Sequence, residues 1–169
     1  MASDDSASAY APADRSGDSM MSIVFDGVIG AVAGAVGVAG MTMVLLVAET
    51  LDGFQMESLA MLGEMTGIQA IAPQYATLIG YLLFLAGGMV TWPLLFASLG
   101  HYLPGETNPR QGVFLGFVLW TGFVLAFYTG YAGAELLVYV VATLIAHLVY
   151  GFCLGAVLEY FGNRSEPIV

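Results

Sequence analysis

His147 is the one basic group between Glu135 and Glu159, in the run AELLVYVVATLIAHLVYGFCLGAVLEYF from Ala134 to Phe161. Thr143 lies one helical turn before it and Tyr150 one turn after it. In so apolar a run the imidazole is not hydrated. It must be neutral, hydrogen-bonded to protein, or bound to something. The chemistry open to it is ligation of haem iron or copper, or a place in a proton relay. A haem held by two histidines needs a second one inside the membrane, and His101 belongs to the opposite end. A methionine or a second subunit would then supply the other axial ligand. The plainer reading is preferred: a neutral His147 hydrogen-bonded across the helices, with the Thr143 hydroxyl or a carbonyl engaging one ring nitrogen.

The other candidates are weaker. Glu49, Glu135 and Glu159 stand at the ends of apolar runs, as does Asp26, and read as solvated or capping carboxylates. Glu135 opens its run, where a helix dipole favours negative charge. Glu49, Glu135 and Tyr150 are kept as candidate proton-relay or polar contacts. Met61 and Met65 share a helical face, and thioethers suit Cu(I), but adaptable packing is the preferred reading. Cys153 is the lone cysteine, so neither a disulfide nor a cysteine-based metal site is expected. The sequence shows neither a phosphate-binding loop nor a nucleophile–base arrangement, and no enzymatic activity, metal or resident cofactor is expected.

The elements that carry these residues are long and apolar. Hydrophobic residues make up 59% of the 169 and charged ones 9%, against roughly 45–50% and 25% in soluble domains. About 20 apolar residues cross a bilayer. Four runs reach that length: Ile23 to Ala48, Tyr75 to Leu99, Gly112 to Tyr131, and the stretch around His147. The expected fold is all-α, an integral membrane four-helix bundle. Between spans one and two, Glu49 to Gln74 has Met56, Leu59, Leu62 and Met65 at near-helical spacing, which predicts a short interfacial helix. Met1 to Ser22 is Ser-, Ala- and Asp-rich and is expected to be a disordered acidic tail. The spans occupy 23–161, and 162–169 form a polar C-terminal tail. Gly30 and Gly34, Gly112 and Gly116, and Gly151 and Gly155 are GxxxG pairs, the spacing that lets helix backbones approach closely in lipid. Pro93 predicts a bend near Met89, and Trp92 and Tyr102 predict a membrane edge at that end of span two.

Charge sets the sidedness. The formal net charge is −10, with three arginines (Arg15, Arg110 and Arg164) and no lysine. That balance argues against nucleic acid as a partner. It suits acidic edges in high salt, so a halophilic source is expected. Four spans place both termini and the 101–111 loop on one side, with all three arginines. The positive-inside tendency makes that side cytoplasmic and the protein a multi-pass protein of the plasma membrane.

The segments GVAGMTMVLLVAE (Gly37 to Glu49), WPLLFASLGHYLPG (Trp92 to Gly105), RQGVFLGFVLW (Arg110 to Trp120) and AHLVYGFCLGAVLEY (Ala146 to Tyr160) resemble an uncharacterised family of small four-span membrane proteins of halophilic archaea. The resemblance implies no activity. Some relatives look like accessory subunits of respiratory haem–copper oxidases. The expected function is therefore a non-enzymatic accessory or scaffold subunit packed in a larger membrane complex, plausibly a respiratory oxidase, its GxxxG faces serving internal packing and partner contact. The alternatives are a haem-binding or proton-handling protein centred on His147, or a small oligomeric channel or transporter. If packing is the whole role, Gly34→Leu disrupts assembly more than His147→Ala.

Overall fold

The structure is a computed structural model and describes residues 15–163. Among the described residues it is all helical, without a strand. The helices are α1 (Arg15–Glu49), α2 (Ala60–Glu64), α3 (Ala76–Ala86), α4 (Trp92–Leu99), α5 (Asn108–Ala126) and α6 (Gly133–Gly162). Four stretches are long and apolar enough to cross a membrane: Ile23–Glu49, Pro73–Tyr102, Asn108–Ala126 and Gly133–Gly162. Residues 15–22, expected in the tail, form the first two turns of α1. The rest of that expected tail, 1–14, and residues 164–169 lie outside the described residues.

The stretch Pro73–Tyr102 is not one regular helix. Between α3 and α4 the backbone takes a π turn, Gly87–Thr91, with the Trp92 N–H bonded to the Gly87 carbonyl five residues back. In that register the next donor, for the Gly88 carbonyl, is Pro93, which has no N–H. The irregularity spans Met89, where Pro93 predicted a bend. Trp92, expected at the membrane edge, is instead ten residues inside the end of this stretch.

Helix α6 is the hub. It packs against α5 on one side and α1 on the other, while α1 also carries the π turn and α4. Along α5 and α6 the register advances four residues per layer. A Cβ placed on Gly155 would meet the Asn108 carbonyl, and one on Gly112 or Gly151 would meet the other's carbonyl. One on Gly116 would meet the carbonyl of His147. Beyond the glycines the contact continues as hydrogen bonds. Trp120 Nε1 donates to Thr143 Oγ1 at 3.1 Å, and Tyr139 Oη donates to the Val124 carbonyl at 2.9 Å. Val124 is in the last turn of α5, where carbonyls lack a helical partner. At the other end the Asn108 N–H, which opens α5, donates to Glu159 Oε2 of α6 at 3.0 Å.

Helix α1 uses its glycines similarly. A Cβ on Gly34 would meet the Gly88 carbonyl, and one on Gly37 the Tyr150 ring. Gly30, its GxxxG partner by spacing, meets only Pro93 Cβ at an ordinary 3.5 Å. The segment between α1 and α3 folds back over the helix ends. It buries Phe54 and Leu59 completely, and its backbone lies so close that a Cβ on Gly63 or Gly80 would strike the Ala76 or Leu59 carbonyl. Its Glu49 Oε1 accepts the Met56 N–H at 3.0 Å.

Candidate functional site

Helix α5 is held tightly by α6, but it has little contact with α3, the π turn or α4. A cavity of about 510 Å³ opens in that gap. That is within the roughly 300–1,000 Å³ range of small-molecule sites. Phe84 of α3 and Phe123 of α5 both line it, their ring centroids 6.3 Å apart, at the distance of an aromatic contact. Met41, Trp92 and Phe127 add to the wall, and His147 and Tyr150 of α6 line it too. None of the lining residues is charged.

His147 reaches this cleft because of its surroundings. Gly116 lets the α5 backbone close onto the His147 carbonyl, and the imidazole lies beside Phe123 with ring centroids 4.6 Å apart. Its Nδ1 is 2.8 Å from the Thr143 carbonyl. A carbonyl can only accept, so Nδ1 carries the proton, and in the neutral ring Nε2 carries a lone pair. The sequence points to the Thr143 hydroxyl or a carbonyl; it is a carbonyl, that of Thr143, so the bond closes within α6 and not across the helices, where it had been expected. The Thr143 hydroxyl is committed elsewhere, donating to the Tyr139 carbonyl at 2.6 Å while accepting from Trp120. Nε2 makes no hydrogen bond within the described residues. Nor is it sealed in, since the one fully buried unpartnered side-chain polar atom there is Tyr131 Oη. Nε2 thus keeps some access, on a residue that lines the cleft.

Tyr150 has a different task. Its Oη donates to the Gly88 carbonyl at 2.8 Å, the acceptor that Pro93 leaves without a backbone donor. This bond ties α6 to the π turn at the cleft wall. Tyr150 is thus a polar contact, with its proton spent on a carbonyl.

The remaining sequence candidates lie apart from the cleft. Glu135 is exposed at the start of α6, and Glu49 and Glu159 each accept a backbone N–H near a helix end. His101 is exposed beyond α4, its ring centroid 3.7 Å from that of Tyr102. Met65 is 79% exposed, and no group of His, Cys, Asp or Glu among the described residues is placed to hold a metal ion. Gly112, Gly116, Gly151 and Gly155 are all buried in one internal seam and Gly34 in another, so their faces are not available to a partner, as had been expected. Met41, Trp92, Gly122 and Phe123 were not foreseen as neighbours of His147. The only hint in the sequence was the interruption at Gly87, Gly88 and Pro93, which marks a place where two helices diverge.

The family model of DUF6789, a family of unknown function, matches residues 24–169, nearly all of the chain. The chain belongs to that family. The match takes in all four long apolar stretches and the whole cleft. No curated protein and no solved structure matches this DUF6789 member.

Proposed function

We propose that this DUF6789 protein is a non-enzymatic, multi-pass protein of the plasma membrane that holds a small lipid-soluble molecule between spans two and three. The observation that carries the reading is the open side of α5. It is the place where a cavity, aromatic walls and an uncommitted polar atom coincide. In the bilayer such a gap faces hydrocarbon, and a ligand enters sideways. Both termini are cytoplasmic, with Arg110 at the start of α5 on that side, paired with Glu106 at 3.7 Å.

Gly122 provides the test. It lines the cleft, and a Cβ built there meets nothing within 4 Å. Gly122→Phe fills the gap without disturbing the α5–α6 seam. Native mass spectrometry from mild detergent should show an apolar adduct on the wild-type protein and none on Gly122→Phe. Equal adducts on both would place any ligand elsewhere.

A second reading, as an accessory or scaffold subunit of a larger, respiratory membrane complex, draws support from the start of α1. Met21, Ile23, Val24, Phe25 and Val28 are each more than half exposed, and a Cβ on Gly27 meets nothing within 4 Å. That length of helix is free to lie against another protein. Affinity purification from native membranes checks it: a stoichiometric partner lost on Gly27→Trp supports the reading, and purification of the chain alone argues against it.

A further inference from the structure

We propose that the cleft selects a neutral hydroquinone or phenol, and that His147 Nε2 accepts a hydrogen bond from its hydroxyl. This rests on the reading of the cleft as a ligand site and adds the chemistry of the ligand. Four observations carry it. No Asp, Glu, Lys or Arg lines the cavity, so a charged ligand would sit there uncompensated. The Thr143 carbonyl takes the imidazole's donor, so what His147 has left to offer is an acceptor, which only a ligand that can donate engages. Trp92 also lines the cavity, and its indole N–H, without a partner among the described residues, is a donor not yet spent. Phe84, Phe123 and Phe127 supply faces and edges for an aromatic ring.

The same observations count against haem. Met41 and His147 do line one cavity and are the thioether and imidazole an iron would need. Yet haem carries two propionates, and no cation lines the cleft to receive them. Other donor groups are served already. The hydroxyls of Tyr150 and Thr121 donate to the Gly88 and Val118 carbonyls, so they do not compete for Nε2.

The test is a cycle of two ligands and two proteins, read by titration calorimetry in detergent under argon. The ligands are trimethylhydroquinone and its dimethyl ether, which keeps the ring but lacks the donor. On the wild-type chain the hydroquinone should bind about tenfold more tightly, the worth of one net hydrogen bond. On His147→Leu the two should bind alike, at the affinity of the ether. Equal binding on the wild type, or a preference that survives in His147→Leu, overturns the role of Nε2. If neither ligand binds the wild type, or both bind Gly122→Phe unchanged, the cleft reading itself fails. Haemin is the third probe: a Soret band lost in His147→Leu overturns the neutral-ligand inference in favour of an iron site. Should His147→Leu not fold, nitrogen-15 labelling of histidine in the wild-type chain decides the matter. The Nε2 signal should move with the hydroquinone and stay still with the ether; movement with both, or with neither, overturns the proposal.

Discussion

The two sides of α5 meet their neighbours in opposite ways. Toward α6, glycines bring backbone onto backbone through Gly112, Gly116, Gly151 and Gly155, and Trp120 and Thr143 continue the seam as a hydrogen bond. Toward span two, Phe84 and Phe123 meet only ring to ring, and a cavity remains beside them. Both sides are apolar, so hydropathy does not distinguish them. In hydrocarbon, burying apolar surface gives no drive for association, and helices stay together only where packing or polar bonds hold them. The α5–α6 side has both, whereas the span-two side has the Phe84–Phe123 ring contact but no glycine seam and no hydrogen bond to α5 among the described residues, and there a cavity stays open. That contrast separates a structural side from a side free to bind.

The most disruptive way to break the contrast is to put a side chain into the closed seam. Gly112→Leu or Gly151→Leu drives a side chain into the facing carbonyl, and no rotamer avoids it. The expected loss exceeds about 4 kcal/mol, the range of severe overpacking. The measurement is the yield of monodisperse protein in detergent, with Gly30→Leu as the control. The Gly30 position has ordinary clearance, so its variant should survive. Loss of both alike would show that any bulky residue in these helices is intolerable, and the seam would lose its special standing.

A smaller effect is expected at the bond joining α6 to the π turn. Tyr150→Phe strands the Gly88 carbonyl in an apolar setting and should cost about 1–3 kcal/mol. Pro93→Ala restores a backbone N–H five residues after Gly88, so the double variant should recover much of that loss. Thermal unfolding of the four proteins reads the coupling. Additive losses would mean that Pro93 is not what leaves the carbonyl free.

These effects show where the sequence was legible. The four long apolar stretches, the interruption near Gly87, Gly88 and Pro93, and the tight spacing of Gly112 with Gly116 and Gly151 with Gly155 are properties of one helix at a time. Periodicity and composition report such properties directly. Which glycine faces which carbonyl is a long-range matter that no single helix encodes. Gly30 and Gly34 have the same spacing as the other pairs, yet only Gly34 lies against a backbone. Trp92 shows the same limit. An indole in sequence suggested a membrane edge; what residue type could not show is that this one stands on the cleft wall, among residues up to 58 positions away in the chain. The chemistry at His147 was half legible: a neutral, hydrogen-bonded imidazole followed from its surroundings, while the free nitrogen facing a cavity depended on α5 standing off from span two.

The least effect, and the one of opposite sign, is expected from Gly122→Ala, read beside Gly116→Ala six residues earlier on α5. Gly116→Ala places a methyl group on the His147 carbonyl and should destabilise the seam. Gly122→Ala places one in open space, on the cleft side of the same helix. There the usual helix penalty of glycine relative to alanine, roughly 0.5–1 kcal/mol, is relieved with no clash to offset it. The gain should be a fraction of that, because hydrocarbon already favours the helical backbone at every residue. A slight rise in midpoint temperature for Gly122→Ala beside a fall for Gly116→Ala would locate the boundary between closed and open sides within two turns of α5. A fall for both would mean that span two closes onto Gly122 in the membrane, and that the cleft is narrower there than the helix positions imply.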